Sequence, residues 1–249
     1  MSDNLKSRLQ SGQKLVGCIL LMPSADVAEV IATSGLQVAM IDHEHGGGGL
    51  LDFVQQDRAV RGTDMELVVR VPHGDATYAQ RLLDNGARGL VFPGIDTAEQ
   101  AQAAVTACRY PPRGTRGAGA GLRAGRYGID TEYYRETRQD ETMLIVQIES
   151  ARAVENIDEI CAVSGVDMCL IGPRDLSASI GMLDNFADPE IWELVDRAAE
   201  RIRASGKFLA STLRPGSTIT DMFEQGYDLV LAGKDVDFLL AGAVALVAH

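Results

Sequence analysis

The sequence predicts a (β/α)8 barrel, and three features of the chain lead there. Eight short apolar runs punctuate its 249 residues, each about the length of a strand. Most lack polar alternation, which suits a parallel sheet buried on both faces. Between the runs lie segments with helix start and stop signals, so strands and helices alternate. Such a series closes into a barrel or opens into a doubly wound sheet. The strand count favours the barrel, and no Gly-x-Gly-x-x-Gly follows the first strand to argue for a dinucleotide fold. One domain over 1–249 is expected, because barrels of this length fold as a unit.

The first run, LVGCILL (15–21), precedes a segment that Ser24 can cap and Ser34-Gly35 can stop. LQVAMID (36–42) and ELVVRVP (66–72) follow; Asp75 opens the next helix and Asn85-Gly86 closes it. RGLVFP (88–93) precedes Asp96-Thr97-Ala98-Glu99, a capping-box pattern ahead of EQAQAAVTACRY. MLIVQIE (143–149) leads into a helix over 150–163 that Ser150 can start. After VDMCLIG (166–172), Asp188-Pro189 opens a helix over 189–204 that Gly206 stops. KFLAST (207–212) and DLVLAG (228–233) complete the set. Between the fourth and fifth runs lies a long Gly- and Arg-rich stretch, RYPPRGTRGAGAGLRAGRYGIDTEYYRETRQDE. Connections of this length are usually functional lids or binding loops. Its Arg113, Arg116, Arg123 and Arg126, in an acidic chain, suggest an anionic ligand or a subunit contact.

Composition excludes several classes. The net charge is -12, with no basic stripe, so nucleic acid would be repelled. No uninterrupted run approaches the roughly 18 apolar residues of a membrane span, and the N-terminus MSDNLKSRLQSGQKL lacks an apolar signal core. A cytoplasmic protein is expected. The four cysteines (Cys18, Cys108, Cys161, Cys169) are scattered, without a Cys-x-x-Cys pair, and read as buried small hydrophobes in a reducing compartment.

Catalytic side chains of such barrels project from the C-terminal ends of the strands. There the second run ends in Asp42-His43-Glu44-His45-Gly46, the third in Arg70-Val71-Pro72, the fifth in Gln147-Ile148-Glu149 and the sixth in Gly172-Pro173-Arg174-Asp175. Glu149 and Asp175 come from adjacent strands and could converge on one ion; oxygen-only ligation with open positions suits Mg2+ or Mn2+. Alternatively each caps a helix or pairs with an arginine. Asp42 and Glu44 set carboxylates beside the His45 imidazole, although a histidine in such a loop is as often a surface residue. A zinc site from His43, Glu44 and His45 is disfavoured, because neighbouring side chains point apart. Arg70 ends an apolar strand, where it needs an anion, whether substrate or structural partner.

At these residues the sequence resembles the class II pyruvate-dependent aldolases of the HpcH/HpaI family. IDHEHG, VVRVP, LLDNGARGLVFPGIDT, YPPRGTRG, VQIES and VDMCLIGPRDLSASIG recur in the family's order and spacing and cover most of the chain. The resemblance implies a phosphoenolpyruvate/pyruvate-type barrel that joins pyruvate, or a close 2-keto acid such as hydroxypyruvate, reversibly to an aldehyde through a metal-stabilised enolate. It implies Glu149 and Asp175 as ligands of a divalent ion (Mg2+, Mn2+ or Co2+), with no organic cofactor. His45 becomes the general acid/base and Arg70 the enolate-stabilising group. Asp84 raises the basicity of the histidine, and Asp42 assists it. Gln147, the turn Gly172-Pro173-Arg174-Asp175 with its backbone amides, and Leu213 surround the substrate. Family members are typically hexamers, trimers of dimers, whose C-terminal helix packs on a neighbour; the tail DVDFLLAGAVALVAH fits an exchanged helix, although an intrachain closing helix would read the same.

Arg174, Leu213-Arg214-Pro215 and Gly233-Lys234-Asp235 are more basic than their usual family counterparts. An acidic or highly hydroxylated aldehyde is therefore expected to meet Arg174, Arg214 or Arg123. Lys234 itself reads as a solvent or interface group, and no other lysine ends a strand to form a Schiff base. Two other functions compete with the aldolase. One is a relative with the same enolate chemistry (an oxaloacetate decarboxylase, a condensing enzyme or an acyl-CoA lyase); the other is a barrel that only binds a keto acid.

Overall fold

The computed structural model describes residues 4–72, 75–130, 132, 136 and 139–247. Eight parallel strands close a barrel in sequence order: β1 (Leu15–Leu20), β2 (Val38–Asp42), β3 (Glu66–Arg70), β4 (Gly89–Phe92), β5 (Met143–Ile148), β6 (Met168–Ile171), β7 (Phe208–Thr212) and β8 (Leu229–Lys234). Each lies within the apolar run that predicts it, except that β8 continues one residue further, to Lys234.

The runs are mostly apolar because the strands are buried on both faces over most of their length. Side chains alternate along a strand. Met40, Val68, Ile145, Leu170 and Leu231 fill the barrel interior. Their neighbours, such as Ile41, Val69, Val146 and Ile171, pack outwards against the helices. The short helix α1 (Leu5–Gln10) puts Leu5 and Leu9 into the interior cluster, at the end where β1 begins. That plug leaves the C-terminal mouth for chemistry.

Helix caps follow the sequence signals closely. Ser24 caps α2 (Ala25–Ala32), Asp75 caps α4 (Ala76–Asp84) and Asp188 caps α9 (Pro189–Ala204). The predicted box at Asp96–Glu99 is displaced by one residue. Thr97 caps α5 (Ala98–Cys108), and Gln100 Oε1 accepts the N–H groups of both Asp96 (2.7 Å) and Thr97 (3.0 Å). The segment expected as one helix from Ser150 is two, α6 (Ala151–Glu155) and α7 (Ile157–Ala162), broken at Asn156. Further helices are α3 (Leu50–Ala59), α8 (Pro173–Ser179), α10 (Ile219–Glu224) and α11 (Asp235–Ala245), with a 3-10 turn over Arg123–Gly128 and a single helical turn over Gln139–Glu141.

All four cysteines are buried and free, as expected. Among the described residues no helix is long and apolar enough to cross a membrane.

Of the two roles expected for the long arginine-rich connection, its described residues do not form an anion site. The connection joins a helix to the following strand, so it leaves the barrel at the end opposite the C-terminal mouth. Its described arginines are met within the chain: Arg113 by Asp140, Arg116 by Asp84, Arg126 by Asp130, and Arg123 by Asp57 and the Asn85 carbonyl. Arg116 also stacks over the Tyr110 ring at 4.6 Å. These groups satisfy one another and do not form an open anion site. Residues 131, 133–135, 137 and 138 of the connection lie outside the described residues.

Candidate active site

The parity that fills the barrel also builds its mouth. Two residues beyond interior Met40 comes Asp42; two beyond Val68 comes Arg70; two beyond Ile145 comes Gln147. All three side chains therefore turn inwards where the apolar filling stops. They line a cavity of about 590 Å³ with His45, Gly172, Pro173, Arg174, Asp175 and Leu213. A second cavity, about 620 Å³ beside Arg8, Gln13 and Asp64, lies at the opposite end. There Arg8 is already engaged by Gln13 and the Asp64 carbonyl, so we assign the chemistry to the C-terminal mouth.

Arg70 is the most constrained group of the mouth. Its side chain grips Asp42 with two bonds, Nε to Oδ1 at 3.0 Å and Nη2 to Oδ2 at 2.5 Å. Nη1 lies 3.3 Å from Glu44 Oε2 and 3.4 Å from Gln147 Oε1. Burial alone would lower the Arg70 pKa; the bond to Asp42 and the charges of Asp42, Glu44 and Glu149 outweigh it and raise the value. Burial would likewise raise Asp42, but Arg70 and the backbone N–H groups of His45 and Glu44 hold it below the ordinary carboxylate value.

Asp42 was expected beside the His45 ring. Instead Oδ1 accepts the backbone N–H groups of Glu44 (3.0 Å) and His45 (3.2 Å), so it shapes the loop and anchors Arg70. The loop turns sharply at Gly46, where a Cβ would lie 2.2 Å from the Asp42 carbonyl oxygen. The turn leaves the His45 side chain 61% exposed, with Nε2 3.7 Å from Glu44 Oε2. His43 points elsewhere and is buried, its Nδ1 3.0 Å from the Tyr78 hydroxyl.

Glu149 lies just behind Gln147 and Gly172. Its Oε1 accepts the Gly94 N–H at 2.6 Å, and Oε2 accepts from the Gln147 amide. Burial is the main cause that pushes its carboxyl up to about 7, with Asp175 and Glu44 adding to it against the opposing Gly94 N–H and Arg70. A carboxylate so placed gains most from a cation. Among the described residues no cluster of three or more His, Cys, Asp or Glu side chains is arranged around one point. Glu149 and Asp175 are two carboxylates close enough for the charge of Asp175 to act on Glu149. Two carboxylates suit a hard divalent ion that completes its shell with water and substrate oxygens, so the residues fit the ion the sequence implies.

Gly172 keeps this arrangement open. A Cβ there would lie 2.9 Å from Gln147 Nε2 and 3.1 Å from Glu149 Cβ. Gly172→Ala is expected to lower kcat/KM by about 10- to 100-fold, as a displaced site does. It should also cost about 1–3 kcal/mol of stability through overpacking. Steady-state kinetics and a thermal melt check both.

Two expected site residues are not at this mouth, and a third is turned away from its cavity. Asp84 is the last residue of α4, which runs antiparallel to the strands, so the helix carries it to the opposite end and onto Arg116. Within the chain it cannot support His45. Arg123 sits near the same end, on Asp57 and the Asn85 carbonyl. Arg214 is closer but turned aside, paired to Asp196 at 3.0 Å and stacked 4.4 Å over the Trp192 ring. Arg174 does line the cavity, tied to Asp184 at 2.9 Å. Conversely, Glu44 as a second partner of Arg70, the Phe186 and Trp192 wall, and Lys234 as a lining residue were not foreseen.

Barrel and mouth together place Asp42, Arg70, Gln147 and Asp175 on one cavity at the C-terminal end. Residues 16–239 match the HpcH/HpaI aldolase/citrate lyase family. A 2-keto-3-deoxy-L-rhamnonate aldolase of Escherichia coli O9:H4 (strain HS) is 42% identical over 208 residues, 83% of this chain and 78% of that protein. The crystal structure of a family member from Burkholderia cenocepacia J2315 superposes with a TM-score of 0.92 at 33% identity, covering 98% of this chain and 97% of that one. An HpcH/HpaI aldolase from Desulfitobacterium hafniense DCB-2 gives 0.89 at 30% identity, covering 98% and 95%. The chain belongs to the HpcH/HpaI aldolase/citrate lyase family. Within that family it is a carbon–carbon lyase, a class II aldolase.

Proposed function

We propose that the chain cleaves and forms the bond between pyruvate, or a close 2-keto acid, and an aldehyde, with 2-keto-3-deoxy sugar acids as the substrate class in the cleavage direction. The observation that carries this is the convergence of the buried Arg70–Asp42 pair, Gln147 and Asp175 on one cavity, with Glu149 behind it. Glu149 and Asp175 would hold the divalent ion, Mg2+, Mn2+ or Co2+. Bound there, it supplies Lewis-acid polarisation of the keto group, which makes the adjacent methyl protons removable near neutral pH.

The chain's own groups do the rest. Gln147 and the turn at Gly172–Asp175 orient the keto acid. Arg70, fixed by Asp42, offers preorganised donors to the oxygen on which negative charge develops. His45 carries the proton to and from the aldehyde oxygen; its exposed ring on a glycine-rich turn supports that role. Leu213, with Phe186 and Trp192, walls the aldehyde side.

A structure described as a citrate synthase is 28% identical to this chain, with a TM-score of 0.87. That favours a condensing reaction less than the 42% identical aldolase favours cleavage. The proposed assembly is a homo-oligomer, a hexamer built as a trimer of dimers. It is supported by Leu239, Leu240 and Val244, which α11 leaves exposed to solvent. A cytoplasmic location is proposed on the strength of the four free, buried cysteines.

Supplying a 2-keto-3-deoxy sugar acid with Mg2+ or Mn2+ and assaying pyruvate with lactate dehydrogenase tests the proposal. Stoichiometric pyruvate and aldehyde are expected. Release of carbon dioxide from oxaloacetate, with no cleavage of the sugar acid, would replace the aldolase with a decarboxylase.

A further inference from the structure

Strand β8 is irregular at the mouth. Gly17 pairs with Leu231, yet Ile19 pairs with Lys234, so β8 carries one residue more than β1 over the same span. Such bulges re-aim side chains and gather near active sites. Leu229 and Leu231 face the interior; an unbroken strand would aim Gly233 inwards and Lys234 outwards. The extra residue reverses this and sets Lys234 level with interior Ile19, lining the cavity. Gly233 permits the distortion, since a Cβ there would lie 2.4 Å from the Phe238 ring.

The cavity's other cations are engaged, Arg70 by Asp42 and Glu44, and Arg174 by Asp184. The Lys234 ammonium makes no hydrogen bond or ion pair among the described residues. Its neighbour Asp235 is turned away and only 2% exposed, accepting the backbone N–H groups of Leu21 (3.0 Å) and Met22 (2.8 Å). The cavity it lines has apolar walls of Leu21, Phe186, Trp192, Leu213 and Pro215; of its carboxylates, Asp42 and Asp184 are paired with Arg70 and Arg174, and Asp175 lies on the β6 side. A lone ammonium beside apolar walls attracts an anion more strongly than one in open water. It also stands two strands round from β6, away from the Gln147–Asp175 side proposed for the keto acid.

Resting on the aldolase reading above, we propose that Lys234 determines acceptor specificity, selecting aldehydes whose end remote from the carbonyl carries a carboxylate or a phosphate. In the cleavage direction the preferred substrate is then a 2-keto acid with a second anionic terminus. No covalent step at Lys234 is involved.

The test compares wild type, Lys234→Gln and Lys234→Arg with pyruvate as donor and four acceptors. Succinic semialdehyde is matched with neutral butanal, and glyceraldehyde 3-phosphate with glyceraldehyde. Lys234→Gln should lower kcat/KM for the matching anionic acceptor by about 10- to 100-fold, the range of one charge-assisted hydrogen bond. The fall should lie mainly in KM, with neutral acceptors within about threefold and Lys234→Arg restoring most of the loss. A fall in only one anionic arm identifies carboxylate or phosphate as the recognised group. Equal losses for charged and neutral acceptors would overturn the proposal, as would no loss for either anion. So would a covalent adduct at Lys234 after borohydride treatment with pyruvate.

Binding provides a readout that does not depend on turnover. Trp192 is the chain's one tryptophan and lines the cavity, so its fluorescence reports binding of unreactive succinate or inorganic phosphate. The affinity for at least one of these should fall about tenfold in Lys234→Gln and recover in Lys234→Arg; unchanged affinity for both contradicts the proposal. If no form of the enzyme makes aldol product, the aldolase reading fails on its own, while the titration still decides the role of Lys234.

Discussion

Arg70→Lys is expected to lower kcat/KM by about 10³-fold while leaving a folded protein. The expectation rests on geometry. Asp42 is 2% exposed and receives two bonds from one guanidinium, while a third nitrogen faces Glu44 and Gln147. Lysine keeps the charge but cannot reproduce that fork. Loss of a preorganised donor to a developing oxyanion costs about 10²–10³ in rate, and the loosened Gln147 adds to it. The fall should lie in kcat more than in KM. Arg70→Ala is a poorer probe, because it strands a buried carboxylate at a cost of about 3–5 kcal/mol. Asp42 links the pair to pH. Its folded pKa is depressed, so its stabilisation is present above the ordinary carboxylate value and is lost as pH falls through the folded one. Thermal melts down an acid series should show Asp42→Asn flattening that loss.

Glu149→Gln should have a comparable effect by a different route. It removes one of the two proposed carboxylate donors, and we expect activity at saturating Mn2+ to fall by about 10³-fold or more, with weaker ion binding measured by calorimetry. The pH dependence gives a second signature. Without an ion the carboxyl is pushed up to about 7, above its ordinary value. The neutral carboxyl therefore favours folding below the unfolded pKa, and that contribution is lost as pH rises through about 7. An ion must displace the proton, so its affinity should rise about tenfold per pH unit up to 7 and level off above. In Glu149→Gln that slope should disappear.

Much of the barrel could be read from the chain because parallel strands buried on both faces leave uninterrupted apolar runs, and because Ser24, Asp75 and Asp188 cap helices through local bonds. The same apolar continuity hides which residues point inwards. Asp42 and Arg70 are cross-strand partners, but only the register reveals it, so Asp42 was assigned to His45. Lys234 was set aside for a related reason: a one-residue bulge in β8 changes its direction, and no residue type announces the bulge. Asp84 and Arg123 were misplaced despite a legible signal. Asp84 ends a helix and Arg123 follows one, and each precedes a strand, which in an alternating barrel puts them at the end opposite the mouth. Glu149 and Asp175 are legible as mouth residues because one follows β5 directly and the other lies in the helix that starts two residues after β6.

If Glu149 and Asp175 hold the ion as proposed, the mouth should labilise the methyl protons of a keto acid before any aldehyde binds. The most direct measurement is exchange of the pyruvate methyl protons in D2O, followed by NMR, with no aldehyde present. Exchange should require added Mg2+ or Mn2+, stop with chelator, and be lost in Glu149→Gln while persisting in Lys234→Gln. Exchange that continues unchanged in the presence of chelator would contradict the account.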